Sequence, residues 1–133
     1  ISKKIRIFIM CLSFVIMCFN GYIKYSYFMA HDYYNSAKVH GNKQDYSKAI
    51  PYFEKIITYY PVEVGRYYLN LAESYYHTST TPVDIEKAHN YFDLAKLHIL
   101  YPDKQLKDHM HNIDMLITSK RKYLKSKIND SNN

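Results

Sequence analysis

The sequence predicts an all-α protein: an N-terminal transmembrane helix, two helical hairpins and a C-terminal capping helix. Three observations predict it. Ile7 to Ile23 form a run without a charged residue. Residues 46–61, YSKAIPYFEKIITYYP, resemble residues 85–102, IEKAHNYFDLAKLHILYP; Ala49, Phe53 and Ile56 correspond to Ala88, Phe92 and Ala95 at an offset of 39 positions. Downstream, Leu106, Met110, Ile113, Ile117 and Leu124 continue an apolar stripe at helical spacing, with Leu116 and Tyr123 beside it. A repeat with a period of about 20–50 residues signals stacked helical hairpins. The expected organisation is an anchor over residues 1–29, a helical domain over 30–125 and a disordered tail over 126–133, SKINDSNN.

The anchor comes first. Seventeen residues, Ile7–Ile23, at about 1.5 Å each span about 25 Å, near the lower limit for crossing a bilayer. Arg6 and Lys24 can snorkel to extend it, and Tyr22, Tyr25, Tyr27 and Phe28 supply an aromatic belt at one interface. Lipid contact is expected over residues 5–28. The rival is a cleaved signal peptide, but Cys18-Phe19-Asn20 and Phe28-Met29-Ala30 are poor cleavage sites. Lys3, Lys4 and Arg6 precede the span and only Lys24 follows closely. The positive-inside rule then puts the N-terminus in the matrix or cytoplasm and the domain on the opposite side. Cys11 and Cys18, seven apart, share one face of this helix and read as small apolar residues. Gly and Pro are absent between Gly21 and Gly41, so the membrane helix is expected to run on into the first hairpin.

In the first unit, Tyr33 and Ala37 lie on one helix, and Tyr46, Ala49, Phe53 and Ile56 on the next, closed by Pro61. In the second, Tyr68, Leu71, Ala72 and Tyr75 are followed by Ala88, Phe92 and Ala95 and closed by Pro102. Residues about 30–102 therefore resemble tandem tetratricopeptide repeats, helix–turn–helix units of about 34 residues with small and aromatic side chains at these places. The resemblance implies a protein-binding scaffold. Ile56 departs from it, standing where a small residue is usual, and His40 replaces a usual Tyr. The first helices are offset by 35 residues (Ala37 to Ala72) and the second by 39, which assigns about four extra residues to the turn at 77–81. The local signals agree with helices: Asp45 as an N-cap, Gly41 as a left-handed helix end, and Thr81-Pro82-Val83-Asp84 as a capped helix start. Pro51 falls inside a helix and removes one backbone hydrogen bond.

Charge limits the function classes. Residues 1–30 carry a net +4, residues 31–117 a net −2, and residues 118–133 a net +4. The basic character thus belongs to the ends, which argues against a nucleic-acid-binding domain. Sixteen Tyr and no Trp, with abundant Ile, Lys and Asn, is the pattern of an AT-rich coding sequence. The seven His include no HExxH, and three Gly build no phosphate loop. The sequence is read as a non-enzyme with no metal or cofactor.

The candidate binding surface is the concave face lined by the first helix of each unit: Tyr34, Asn35, Lys38 and Asn42, then Arg66, Leu69, Asn70, Glu73, Tyr76 and His77. In chaperone-binding repeats of this family a Lys/Asn/Arg clamp holds a terminal carboxylate. Here Tyr34 and Lys38 stand where that clamp has Lys and Asn, and only Asn70 fits. The aromatic and amide surface suits an extended peptide or a flat protein partner. Two repeats and a cap make a thin core, which points to an accessory subunit or scaffold of a larger membrane complex whose partners are its other protein subunits. A membrane-anchored receptor that captures peptide segments transiently is the alternative. A basic end on the matrix side and AT-rich composition fit a mitochondrial inner membrane; a bacterial inner membrane is the other reading.

Overall fold

A computed structural model describes residues 2–59 and 64–131. Among them are five helices and no strand: α1 (Lys3–Asn42), α2 (Tyr46–Tyr59), α3 (Val64–Thr78), α4 (Pro82–His98) and α5 (Lys104–Ser131). Each packs on the next in chain order, and α5 also touches α3.

The continuity expected after Gly21 is present. With neither Pro nor a turn signal to stop it, α1 runs unbroken for 40 residues, beginning at Ser2, whose hydroxyl accepts from the Ile5 N–H. Its first half is exposed on every side, Phe8, Met10, Phe14 and Met17 included, and is long and apolar enough to cross a membrane. Its second half belongs to the packed domain, where Ala30 and Ala37 are buried. One helix therefore carries both an exposed apolar stretch and part of the packed domain.

α1 ends differently from expectation. Gly41 stays inside the helix, and no glycine among the described residues has a positive φ. The left-handed position is Gln44, at φ 58°, where the chain turns and the N–H groups of Gln44 and Asp45 reach back to the Gly41 and His40 carbonyls. Asp45 follows. Its carbonyl accepts from the Lys48 and Ala49 N–H groups to start α2, while its carboxylate takes the Ser47 hydroxyl and the Lys48 ammonium. Pro51 is carried inside α2. Pro61 lies outside the described residues.

The four extra residues of the second unit do not lengthen its turn. Residues 43–45 join α1 to α2 and residues 79–81 join α3 to α4, three in each case. Helix takes up the difference. α4 begins six residues before Ala88, whereas α2 begins three before Ala49, and α3 runs one residue further past Ala72 than α1 past Ala37. The cause is the start signal at Thr81. Its hydroxyl accepts from the Asp84 N–H at 3.2 Å, the Asp84 carboxylate takes the Thr81 N–H in return, and Pro82 opens the helix.

The core has two linked parts. Ala37, Ala49, Phe53, Ile56 and Leu71 pack between α1, α2 and α3, and Leu69, Ala72, Ile85, Ala88, Phe92 and Ala95 pack between α3, α4 and α5. Five alanines (37, 49, 72, 88 and 95) are fully buried, which lets helix axes approach to about 8–10 Å. Gly65 marks a close approach of α3 to the end of α4: a methyl placed there would lie 2.6 Å from Ile99 Cγ1. The stripe on α5 meets this core as expected, with Ile113, Ile117 and Leu124 buried and Leu106 and Met110 packed beside them; Leu116 and Tyr123 stay exposed. Arg121 and Lys125 on α5 both reach Glu86 on α4, at 2.7 and 3.0 Å. The helix continues to Ser131, so residues 126–131 are helical where their composition pointed to a disordered tail. Leu124, held in the core, anchors the turn from which they extend.

Candidate functional site

α1 and α3 run in the same direction. Tyr34 meets Tyr67 edge-on, with ring centroids 6.1 Å apart, and further along Lys38 and Asn42 face Glu73 and Ser74 across a shallow cleft. This cleft, of about 250 Å³, continues into a larger one of about 480 Å³ bounded by Tyr34, Arg66, Asn70, Gln105 and His109. Tyr34 and Asn70 line both, so together they form one groove along α3.

The ten residues singled out in the sequence divide in the structure. Tyr34, Lys38, Asn42, Arg66, Asn70 and Glu73 all line the groove. Leu69 contributes only to its floor, being 3% exposed against α4 and α5. Asn35 lies on the exposed side of α1, outside both clefts. Tyr76 is half-buried under α5: the Lys120 ammonium sits 4.8 Å above its ring and donates to its carbonyl at 2.6 Å. That carbonyl belongs to the last turn of α3, where main-chain acceptors lack helical partners and a cation is favoured. Burial pulls the Lys120 pKa below the usual lysine value. His77 stacks on Tyr46 at 4.1 Å and closes the groove's far end.

Asp103, just before α5, and Gln105 and His109 within it were not among those ten. Helical period in the sequence assigns the concave face to the first helix of each unit and gives the last helix only a capping role. The helical register of α5 held the missing signal, since His109 precedes the core residue Met110 and so borders the packed face. His109 Nε2 stands 3.7 Å from a Glu73 carboxylate oxygen. Asp103 is engaged in capping, accepting from the Leu106 N–H at 2.8 Å. Arg66 and Lys38 make no ion pair with any described residue, which leaves the groove with two uncommitted cations and the amides of Asn42, Asn70 and Gln105.

The opposite face carries a second feature. Tyr75 of α3 donates to Glu54 of α2 at 2.9 Å, and Tyr91 of α4 stacks on Tyr75 at 5.4 Å. Burial and the neighbouring carboxylate push the Tyr75 pKa above the ordinary tyrosine value. This ladder ties three helices together. Among the described residues, no group of three His, Cys, Asp or Glu is placed to hold a metal ion. The groove offers hydrogen-bond donors, aromatic edges and cations, the chemistry of recognition by an extended surface. The chain matches no protein-family model, no curated protein and no solved structure.

Proposed function

We propose that this protein is a non-enzymatic accessory subunit or scaffold of a larger membrane protein complex, with tetratricopeptide-like hairpins as its docking block. The continuity of α1 carries the reading. The helix that leaves the apolar span enters the packed domain without a linker, so the domain sits at a fixed angle to its anchor. A fixed angle suits a subunit that fits between rigid neighbours. Protein neighbours would meet the groove through Tyr34, Arg66 and Asn70. The chain crosses the membrane once, with its basic N-terminus on the matrix or cytoplasmic side. The mitochondrial inner membrane is the favoured site, and a bacterial inner membrane is the alternative.

A second reading rests on the open groove and its uncommitted Arg66 and Lys38: a membrane-anchored receptor that takes extended peptide segments transiently. Extraction in mild detergent separates the two. A subunit co-migrates with a complex far larger than the 15.9 kDa chain, and mass spectrometry identifies its neighbours. Recovery only as a free monomer would refute the subunit reading. Removal of residues 2–24, which spares Ser26 and Ala30 in the packed half of α1, gives a second test. The truncated domain of a subunit aggregates, whereas that of a receptor stays folded and binds.

A further inference from the structure

We infer that the loop between α4 and α5 is a second membrane contact, with Leu100 and Tyr101 seated in the interfacial layer of the bilayer that α1 spans. This inference rests on the membrane-spanning reading of α1 and goes beyond it by assigning a lipid-binding role to the folded domain.

Exposure supplies the first observation. Tyr101 is 96% exposed, Leu100 73% and Leu97 67%, and none packs on the core clusters. Tyr101 is the most exposed of the large apolar side chains among the described residues. A Leu–Tyr pair of this kind, apolar with one hydroxyl, matches the chemistry of the membrane–water boundary.

Position supplies the second. α4 runs back against α3, so its C-terminal end lies beside the start of α3: Ile99 abuts Gly65, and the His98 ring lies 5.4 Å from that of Tyr68. The start of α3 points toward the span side of α1, because Tyr67 meets Tyr34 whereas Glu73 faces Lys38 and Asn42 further along. Gly65, two residues before Tyr67, is thus level with about Asp32. The α4–α5 loop therefore projects from the end of the domain at which α1 leaves for the membrane. The opposite end carries Gln44, Ser79 and Val83.

The distances close. Asp32 lies nine residues past Ile23, about 14 Å along the helix axis. The loop stands about two interhelix steps from α1, roughly 20 Å sideways. A spanning helix tilts by about 20° on average, and a tilt toward the loop lowers it by about 7 Å. The remaining 7 Å matches the roughly 5–8 Å depth of the interfacial layer. The charges beside the loop cancel, Lys96 paired with Asp93 at 2.7 Å and Lys104 next to Asp103, so apolar insertion and not net charge drives the contact.

The chain has no Trp, so one introduced Trp reports its own surroundings. The full-length Tyr101→Trp protein is reconstituted in phosphatidylcholine vesicles whose acyl chains carry bromine at shallow or deep positions. Phe14→Trp, within the apolar run, and Val83→Trp, 71% exposed at the opposite end of the domain, serve as references. The expected result is a blue-shifted Tyr101→Trp emission quenched by shallow bromine, a Phe14→Trp emission quenched by deep bromine and an unquenched Val83→Trp. Tyr101→Trp behaving as Val83→Trp while Phe14→Trp is quenched overturns the inference and leaves the anchor standing. A blue-shifted but unquenched Tyr101→Trp also overturns it, in favour of a protein covering the loop. An unquenched Phe14→Trp removes the anchor itself, and this contact with it.

Discussion

Gly65→Ala tests the close approach between the start of α3 and the end of α4. An added Cβ would lie 2.6 Å from Ile99 Cγ1 and 3.2 Å from both the His98 carbonyl carbon and the Ile99 nitrogen. Two effects oppose each other. Alanine raises helix propensity, by about 1 kcal/mol at most and by less in the first turn, where Gly65 sits. Overpacking costs about 1–3 kcal/mol, and little escape is open here, because two of the three contacts are main-chain atoms and Ile99 is β-branched and stiff about χ1. The clash is the larger effect, for a net loss of about 1–2 kcal/mol. With a urea dependence of about 1–3 kcal/mol per molar, the unfolding midpoint of the full-length protein in detergent falls by roughly 0.5–1 M, read by circular dichroism. Ile99→Ala removes the nearest atom, so Gly65→Ala introduced into that background should cost about 1 kcal/mol less than in the parent. Additive behaviour in the cycle, or a stabilised Gly65→Ala, would refute the geometry at this contact.

Other substitutions probe separate parts of the fold. Gln44→Gly relieves a left-handed side chain and should stabilise by about 0.5–1 kcal/mol, whereas Gln44→Ala should not; a thermal melt compares them. Phe92→Ala, at a site 2% exposed, should cost about 3–5 kcal/mol, and Tyr123→Ala, 63% exposed, should stay within about 0.5 kcal/mol of the parent. Glu86, hydrogen-bonded to Arg121 and Lys125, has its pKa lowered from 4.5, so its stabilising contribution is present above that value and is lost as the pH falls through the lower folded value. Stability should therefore drop on acidification below about pH 4.5 by a step that Glu86→Gln removes, a small step because the pair is about one-third exposed.

Helices and their apolar faces were legible in the sequence because both follow from local spacing. Ala49, Phe53 and Ile56, or Ile113 and Ile117, lie on one face by periodicity alone, and the structure buries them all. The start at Thr81 was legible because its capping partner is three residues away. Helix ends were less so. Gly41 carried the usual signal for a left-handed end, yet the helix ran past it and Gln44 took that conformation, since the turn geometry, not the local preference, selects where φ changes sign. The groove was legible for six of ten residues. Of the other four, Leu69 and Tyr76 are held against α5 and His77 by Tyr46, at sequence distances that no periodic pattern encodes, and Asn35 faces outward on α1.

The sequence by itself determined an all-helical chain, an uncharged apolar stretch at one end and two unequal copies of one packing pattern, because charge, period and capping are properties of neighbours in the chain. Tertiary structure alone decided that the extra residues of the second copy lengthen its helices and not its turn, that α5 enters the groove, and that Leu100 and Tyr101 stand at the end from which α1 departs. Those outcomes depend on how whole helices register against one another, and that register is set by packing over distances the local sequence does not record.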